Sequence, residues 1–164
     1  MAVSAWAAGQ RITADRLNEM LPRWSSWTPT WSTNTGSATP SFGNATIDCE
    51  YTQTGDMVIC RVQITFGSTT SFGGGTGADN WRFSLPVTAA ATSNAAGHFE
   101  LSISSDERWY SRARITTTSV FELETSSGRV DGATTTNTGL VDAITPATWA
   151  NGDAIYGTLH YKAA

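Results

Sequence analysis

Apolar and polar side chains alternate through most of this chain, and that alternation constrains its fold more than any other feature. A period of two places one set of side chains on a single face of a β-strand. The first run reverses at Gly55 and Asp56 and returns with the same period, which predicts a hairpin with a two-residue loop. In this register Cys60 lies opposite Tyr51, so Cys49 and Cys60 are diagonal neighbours, and two buried thiols are favoured over a disulfide.

The alternation recurs in further short runs at a spacing of roughly ten residues. Their inward-facing members are Trp81, Phe83, Leu85 and Val87; Phe99, Leu101 and Ile103; Trp109, Ser111, Ala113 and Ile115; Phe121 and Leu123; and Ile155, Gly157, Leu159 and Tyr161. Turn-forming residues separate the runs at 94–97, 104–107, 126–128 and 151–153. The chain has 26 Thr and 17 Ser among 164 residues, and these types suit strands and turns. The patterns predict an all-β protein, an antiparallel β-sandwich or jelly roll with a short N-terminal α-helix.

The segment 6–21 differs from the rest because its apolar residues follow a helical spacing. Thr13 is a good N-cap, Asp15 favours the positive end of the helix dipole, and Pro22 ends the helix. The apolar face comprises Ala14, Leu17, Met20 and Leu21. A helix of about two turns is marginal alone in water. We therefore expect it to dock onto another copy or a larger assembly, and packing back onto its own domain is the alternative.

A connector rich in Ser, Thr and Pro follows the helix and carries Trp24, Trp27 and Trp31. Pro29 disfavours a continuous helix across them. We expect these rings to close the base of the domain, where they would bury much surface, and an exposed platform for stacking on glycans is the alternative. The chain is accordingly divided into an N-terminal helix and attachment segment, 1–28, and a β-sandwich head domain, 29–164.

The charge balance argues against nucleic acid and membrane partners. The formal net charge is -4 with a pI near 5.0, whereas phosphate binding needs a clustered basic face. No run approaches the roughly 18 apolar residues of a membrane span. Arg11 and Asp15 interrupt the N-terminal stretch, so it does not read as a signal peptide. We expect a protein that is made and kept in a cytoplasm unless it leaves by lysis.

Residue types suited to metals and cofactors are sparse. Cys49 and Cys60 are eleven positions apart, and the only histidines are His98 and His160, which does not match paired zinc-ligand spacing. The glycines at 73–77 precede a strand and not a helix, so they do not predict a phosphate-binding loop. We expect no metal site and no cofactor, and we interpret the glycine-rich stretch as a flexible loop that could meet a receptor.

Catalytic signatures are equally weak. No G-x-S-x-G motif of a serine nucleophile occurs. Glu122 and Glu124 share one face of a strand about 6.6 Å apart along the chain, near the separation of an inverting glycosidase pair. Phe121 and Leu123 explain the same pair as the solvated half of an alternating strand. We therefore expect no enzyme activity and assign no catalytic residue.

The most suggestive surface is a strand whose outer face carries three guanidiniums and a phenol. Its members are Arg108, Tyr110, Arg112 and Arg114. Such groups can hydrogen-bond or stack on sugars and carboxylates, which makes them a candidate receptor contact. Pairing across the sheet with glutamates of neighbouring strands is the favoured alternative. Those glutamates are Glu100, Glu122 and Glu124.

The order of four segments resembles that of minor virion proteins of tailed bacteriophages, especially those of actinobacterial hosts. The segments are ITADRLNEML, WTPTW, ITFGSTTSFGGGTGADNWRFSLPV and WANGDAIYGTLHYKAA. The resemblance covers nearly the whole chain and rests on its strands, and it fixes no functional residue. It implies a homotrimeric minor tail or fibre protein of the virion, assembled in the host cytoplasm, with other phage tail or capsid proteins and host-surface glycans as partners. Capsid decoration is the alternative, and a cell-wall glycan hydrolase is the third.

Overall fold

The computed structural model describes residues 8–74, 79–104, 107–125 and 139–164. The predicted turn at 126–128 and part of the glycine-rich loop lie outside these ranges. Within them, only Ala14–Met20 is α-helical and forms α1. The strands are β1 (Ser25–Ser26), β2 (Trp31–Thr33), β3 (Thr46–Ile47), β4 (Glu50–Thr54), β5 (Met57–Thr65), β6 (Trp81–Ser84), β7 (Ser93–Ile103), β8 (Glu107–Thr117), β9 (Val120–Thr125), β10 (Gly139–Leu140) and β11 (Ala154–Lys162). The prediction of an all-β protein is confirmed.

The described strands form one antiparallel sheet that curls. Its main path runs β1-β4-β5-β11-β7-β8-β9-β6-β2, while β3 pairs with β5 and β10 with β9. β1 and β2 therefore lie at opposite ends of the path, although they are neighbours in the chain. Nine flat strands would place these edges roughly 38 Å apart, but the chain from Ser26 to Trp31 can span at most about 18 Å. The sheet must curl until its two edges approach each other.

Aromatic rings fill the interior of this curled sheet. Trp31 of β2 stacks on Phe66 at the end of β5, with ring centroids 5.3 Å apart. Trp31 also meets Trp81 of β6 edge-on at 4.7 Å, and Trp149 lies 5.1 Å from Trp81. Because β2 and β5 are well separated in the strand order, contact between their rings places both halves of the sheet around one core.

The three connector tryptophans have different environments. Trp31 is buried, and Trp27 is half-buried with its ring 6.5 Å from that of Phe121. Trp24 is 52% exposed. Two of the three rings therefore pack into the domain, and the sheet already begins at β1, ahead of residue 29.

The predicted hairpin consists of β4 and β5. Tyr51 lies opposite Cys60, and residues 55–56 form the two-residue loop, so the predicted register is confirmed. Cys49 and Cys60 are free and buried, which confirms thiols over a disulfide. Burial raises the pKa of the Cys49 thiol to about 11 and that of Cys60 to about 12, because a thiolate is poorly solvated in the interior.

These pKa values predict unreactive thiols and a loss of stability in alkali. At pH 8 the native chain should resist alkylation by iodoacetamide, whereas unfolded chains should react at both positions, because only the thiolate is nucleophilic. The unfolded thiols ionise from about pH 9, while the folded ones hold their protons to about pH 11 or 12. The thiol contribution to the free energy of unfolding is therefore complete below pH 9 and is lost between pH 9 and 12.

Alkylation followed by mass spectrometry measures the reactivity of the thiols. Urea titrations between pH 9 and 12 measure the loss of stability. The control is the Cys49→Ala, Cys60→Ala double variant. Its free energy of unfolding should fall less steeply between pH 9 and 12. Rapid native labelling at pH 8 would contradict the burial of the thiols.

Gly97 lies inside a strand and not in a turn, which corrects the predicted turn at 94–97. β7 runs through this position with an irregular register between Ser93 and Gly97. Gly97 faces Leu159 of β11, where an added Cβ would lie 2.6 Å from the Leu159 Cα and would also strike the Thr158 carbonyl oxygen. Glycine therefore permits a close approach of two backbones here.

Candidate functional site

The predicted receptor residues lie on β8, between β7 and β9 in the sheet. Arg108, Tyr110 and Arg112 are exposed, and Arg114 is half-buried. Tyr110 is the most exposed large hydrophobic side chain of the described structure, at 67%. The alternation thus places this stripe on the outer face, as predicted.

The arginines of the stripe are paired with glutamates of the neighbouring strands. Arg108 Nε lies 3.3 Å from a carboxylate oxygen of Glu100 on β7. Arg112 and Arg114 both bind Glu124 on β9, at 3.0 and 3.2 Å. Such partly exposed pairs each stabilise the fold by only about 0.2–1 kcal/mol. All three guanidiniums are paired across the sheet, with Glu124 shared by two of them, so the favoured interpretation of cross-strand pairing is confirmed.

Glu122 departs from the prediction, which placed it on the solvated half of β9. Its side chain is only 5% exposed, and Arg82 Nε on β6 donates a hydrogen bond to it at 2.7 Å. The pairing of β6 with β9 brings Arg82 over this carboxylate, and the ion pair compensates its removal from water. Both Glu122 and Glu124 are therefore held by guanidiniums.

A shallow depression of about 300 Å³ lies beside the arginine stripe on the outer face of β7, β8 and β11. Its walls include Tyr110 of β8, His98 and Glu100 of β7, and Tyr156 and Thr158 of β11. The rings of His98 and Tyr110 are stacked, with centroids 5.5 Å apart and planes 29° from parallel. We name this feature the aromatic depression. Exposed ring faces beside carboxylate and hydroxyl groups can stack on a ligand and hydrogen-bond to it.

Sequence reasoning found Tyr110 but not its partners in the aromatic depression. His98 and Tyr156 lie on strands that are distant from Tyr110 along the chain, and only the pairing of β8 with β7 and of β7 with β11 unites them. The outward face of the last strand, with Tyr156 and Thr158, was the available signal.

The predicted docking helix lies outside the hydrophobic core. Thr13 precedes α1, and the Leu17 amide donates to its carbonyl oxygen at 3.1 Å, as expected of an N-cap residue. Leu17 and Leu21 are 50% and 59% exposed, and Ala14 is also exposed, while the Met20 side chain lies outside the described structure. The described part of the apolar face is not buried against the sheet.

Two common signatures of function are absent from residues 8–74, 79–104, 107–125 and 139–164. No group of three or more His, Cys, Asp or Glu side chains there is placed to hold a metal ion. No helix in these ranges has both the length and the apolar character required to cross a membrane. Comparison of the chain with protein-family models, curated proteins and solved structures finds no match.

Proposed function

We propose that this chain is a non-enzymatic structural protein of a bacteriophage virion, a homotrimeric minor tail or fibre component that contacts the host surface. The resemblance of its segments to minor virion proteins supports the proposal. The observation that carries it is the exposed apolar face of the N-terminal segment. In this proposal the curled sheet is the projecting head, a jelly-roll sandwich whose halves face each other across the aromatic core.

Of the side chains that the structure describes between residues 12 and 24, four large apolar ones are exposed. They are Ile12, Leu17, Leu21 and Trp24. Burying one aliphatic side chain of this size stabilises an assembly by about 1.5–3 kcal/mol, which a seven-residue helix cannot obtain from its own turn. Docking into a particle would bury these groups. Three copies on one axis would then present three weak contacts together, which raises avidity without a tight pocket.

We expect Leu17→Ser to leave the head folded but to reduce incorporation into particles several-fold. The substitution removes an exposed apolar contact and touches no core residue, so thermal unfolding of the isolated chain should not change. Incorporation is measured by quantitative mass spectrometry of purified particles. The matched control, Asn18→Ser, alters an exposed polar residue of the same helix and should incorporate normally. Equal incorporation of both variants would contradict the attachment role.

Capsid decoration is the second candidate, because the same apolar segment could dock onto a head. Labelling of the chain in intact particles by electron microscopy distinguishes tail from capsid. Mass measurement in solution should give three times 17.5 kDa, and a strict monomer would remove the avidity argument. A cell-wall glycan hydrolase is the third candidate, and release of soluble sugar by the native chain but not by Glu122→Gln would overturn the non-enzymatic assignment.

A further inference from the structure

We propose that the aromatic depression binds an uncharged sugar unit of a surface glycan between Tyr110 and Tyr156. This inference rests on the proposed function, because a virion protein that faces the host would meet such a glycan. It adds to that function the residues of the site and the chemical class of the ligand.

The two tyrosines flank Glu100 in one row across three strands. Tyr110 lies opposite Glu100 in the pairing of β7 with β8, and Tyr156 lies opposite it in the pairing of β11 with β7. Their strands are two inter-strand spacings apart, or about 10 Å. Stacked rings have centroids about 4.5–7 Å apart, so one sugar ring fits between the two side chains.

The wall formed by His98 and Tyr110 is held in place before any ligand arrives. His98 stacks on Tyr110, and both lie within strands of eleven residues near the middle of the sheet. Beneath them Gly157 lacks a side chain on the inner face, where the Phe99 ring lies against the backbone. Binding would therefore require little ordering of side chains, and this preorganisation favours a shallow site.

The charges around the depression select against an ionic ligand. Glu100 is the charged residue of the lining, and it is paired with Arg108 at 3.3 Å. Arg112 and Arg114 share Glu124 at 3.0 and 3.2 Å and are not part of the lining. An anionic ligand in the depression would face the Glu100 carboxylate, and a cationic ligand would have to displace Arg108 from it. Hydroxyl groups can instead bond to the remaining lone pairs of the carboxylate without breaking the pair.

A sugar ring can contact both the aromatic rings and the polar groups of the depression. Its C–H face is apolar and can lie on the faces of Tyr110 and Tyr156, while its equatorial hydroxyls point outward. Glu100 can accept hydrogen bonds from those hydroxyls, and the Thr158 hydroxyl can donate or accept. Ligand sites combine apolar contact with a few placed polar groups in this way.

The test measures binding of the full chain to immobilised neutral hexose and pentose oligosaccharides, beside sialylated and sulfated ones. The neutral probe that binds best is then titrated by calorimetry. Tyr110→Ala and Tyr156→Ala should each weaken its binding about tenfold, whereas Tyr110→Phe keeps the ring and most of the affinity. The matched control is Ile59→Ala, which removes an exposed apolar side chain of β5 outside the depression.

The inference would be overturned if the chain bound no neutral oligosaccharide, or if it bound the charged probes equally well. Unchanged binding by both alanine variants would also overturn it. A fall in oligomer mass for Tyr156→Ala without glycan binding would do the same and would assign the rings to a contact between copies. The tyrosine variants should enter particles normally. Lost glycan binding with normal incorporation therefore tests this site, whereas the Leu17 variant tests the proposed function.

Discussion

Replacing Trp81 by alanine should lower the free energy of unfolding by about 3–5 kcal/mol, the largest single loss expected in this chain. The Trp81 ring is almost wholly buried, meets Trp31 edge-on at 4.7 Å and lies 5.1 Å from Trp149. Its indole N–H also donates to the Phe72 carbonyl oxygen at 3.3 Å. The surrounding rings come from separate parts of the sheet and cannot collapse together into the space. For a chain of this length the melting temperature should fall by roughly 6–20 °C.

The same chemical change at an exposed position provides the control. Trp24 is 52% exposed, so Trp24→Ala should alter the stability of the isolated chain by no more than about 0.5 kcal/mol. Urea and thermal unfolding, followed by near-ultraviolet circular dichroism, compare the two variants. Equal losses would show that Trp81 is not the centre of the core.

Gly97→Ala should destabilise the chain by about 3 kcal/mol, because the added methyl group meets backbone and not a movable side chain. Its Cβ would lie 2.6 Å from the Leu159 Cα and would strike the Thr158 carbonyl oxygen. β11 is paired with β5 on its other side, so it cannot move away without disturbing a second strand pair. Amide hydrogen exchange should therefore show lost protection along both β7 and β11.

Gly36→Ala separates this steric effect from the conformational freedom of glycine. Gly36 has a φ of 72° and no atom near the position of an added Cβ. Its substitution should lower the free energy of unfolding by about 1–2 kcal/mol through left-handed backbone strain alone. Amide hydrogen exchange in β7 and β11 should not change. Intact protection of these strands in Gly97→Ala would refute the close approach of the two backbones.

Local patterns predicted the parts of the fold that depend on neighbouring residues. The register of the β4–β5 hairpin followed from alternation and a two-residue loop, because both act over a few residues. Turn chemistry was less reliable at Gly97, since a glycine in a turn and a glycine at a close strand contact look alike in one sequence. Only the neighbouring strand distinguishes them.

The candidate site was predicted only in part, because its residues also depend on which distant strands are paired. Tyr110 and its arginine neighbours were recognised because they alternate along one strand. The burial of Glu122 was missed, since Arg82 reaches it from β6 through a pairing that no local pattern specifies. Tyr156 was missed as a partner of Tyr110 because two strand pairings, not one, bring them to the same face.

By itself the sequence determined that the chain is all-β, the register of the β4–β5 hairpin, and that Cys49 and Cys60 are buried thiols. These properties follow from the period of a strand and the chemistry of a short loop. The tertiary structure alone decided that the sheet curls until β1 and β2 approach, and that the aromatic depression forms across β8, β7 and β11. Those features depend on which distant strands pair, and that choice is made by burial of the whole core and not by any short segment.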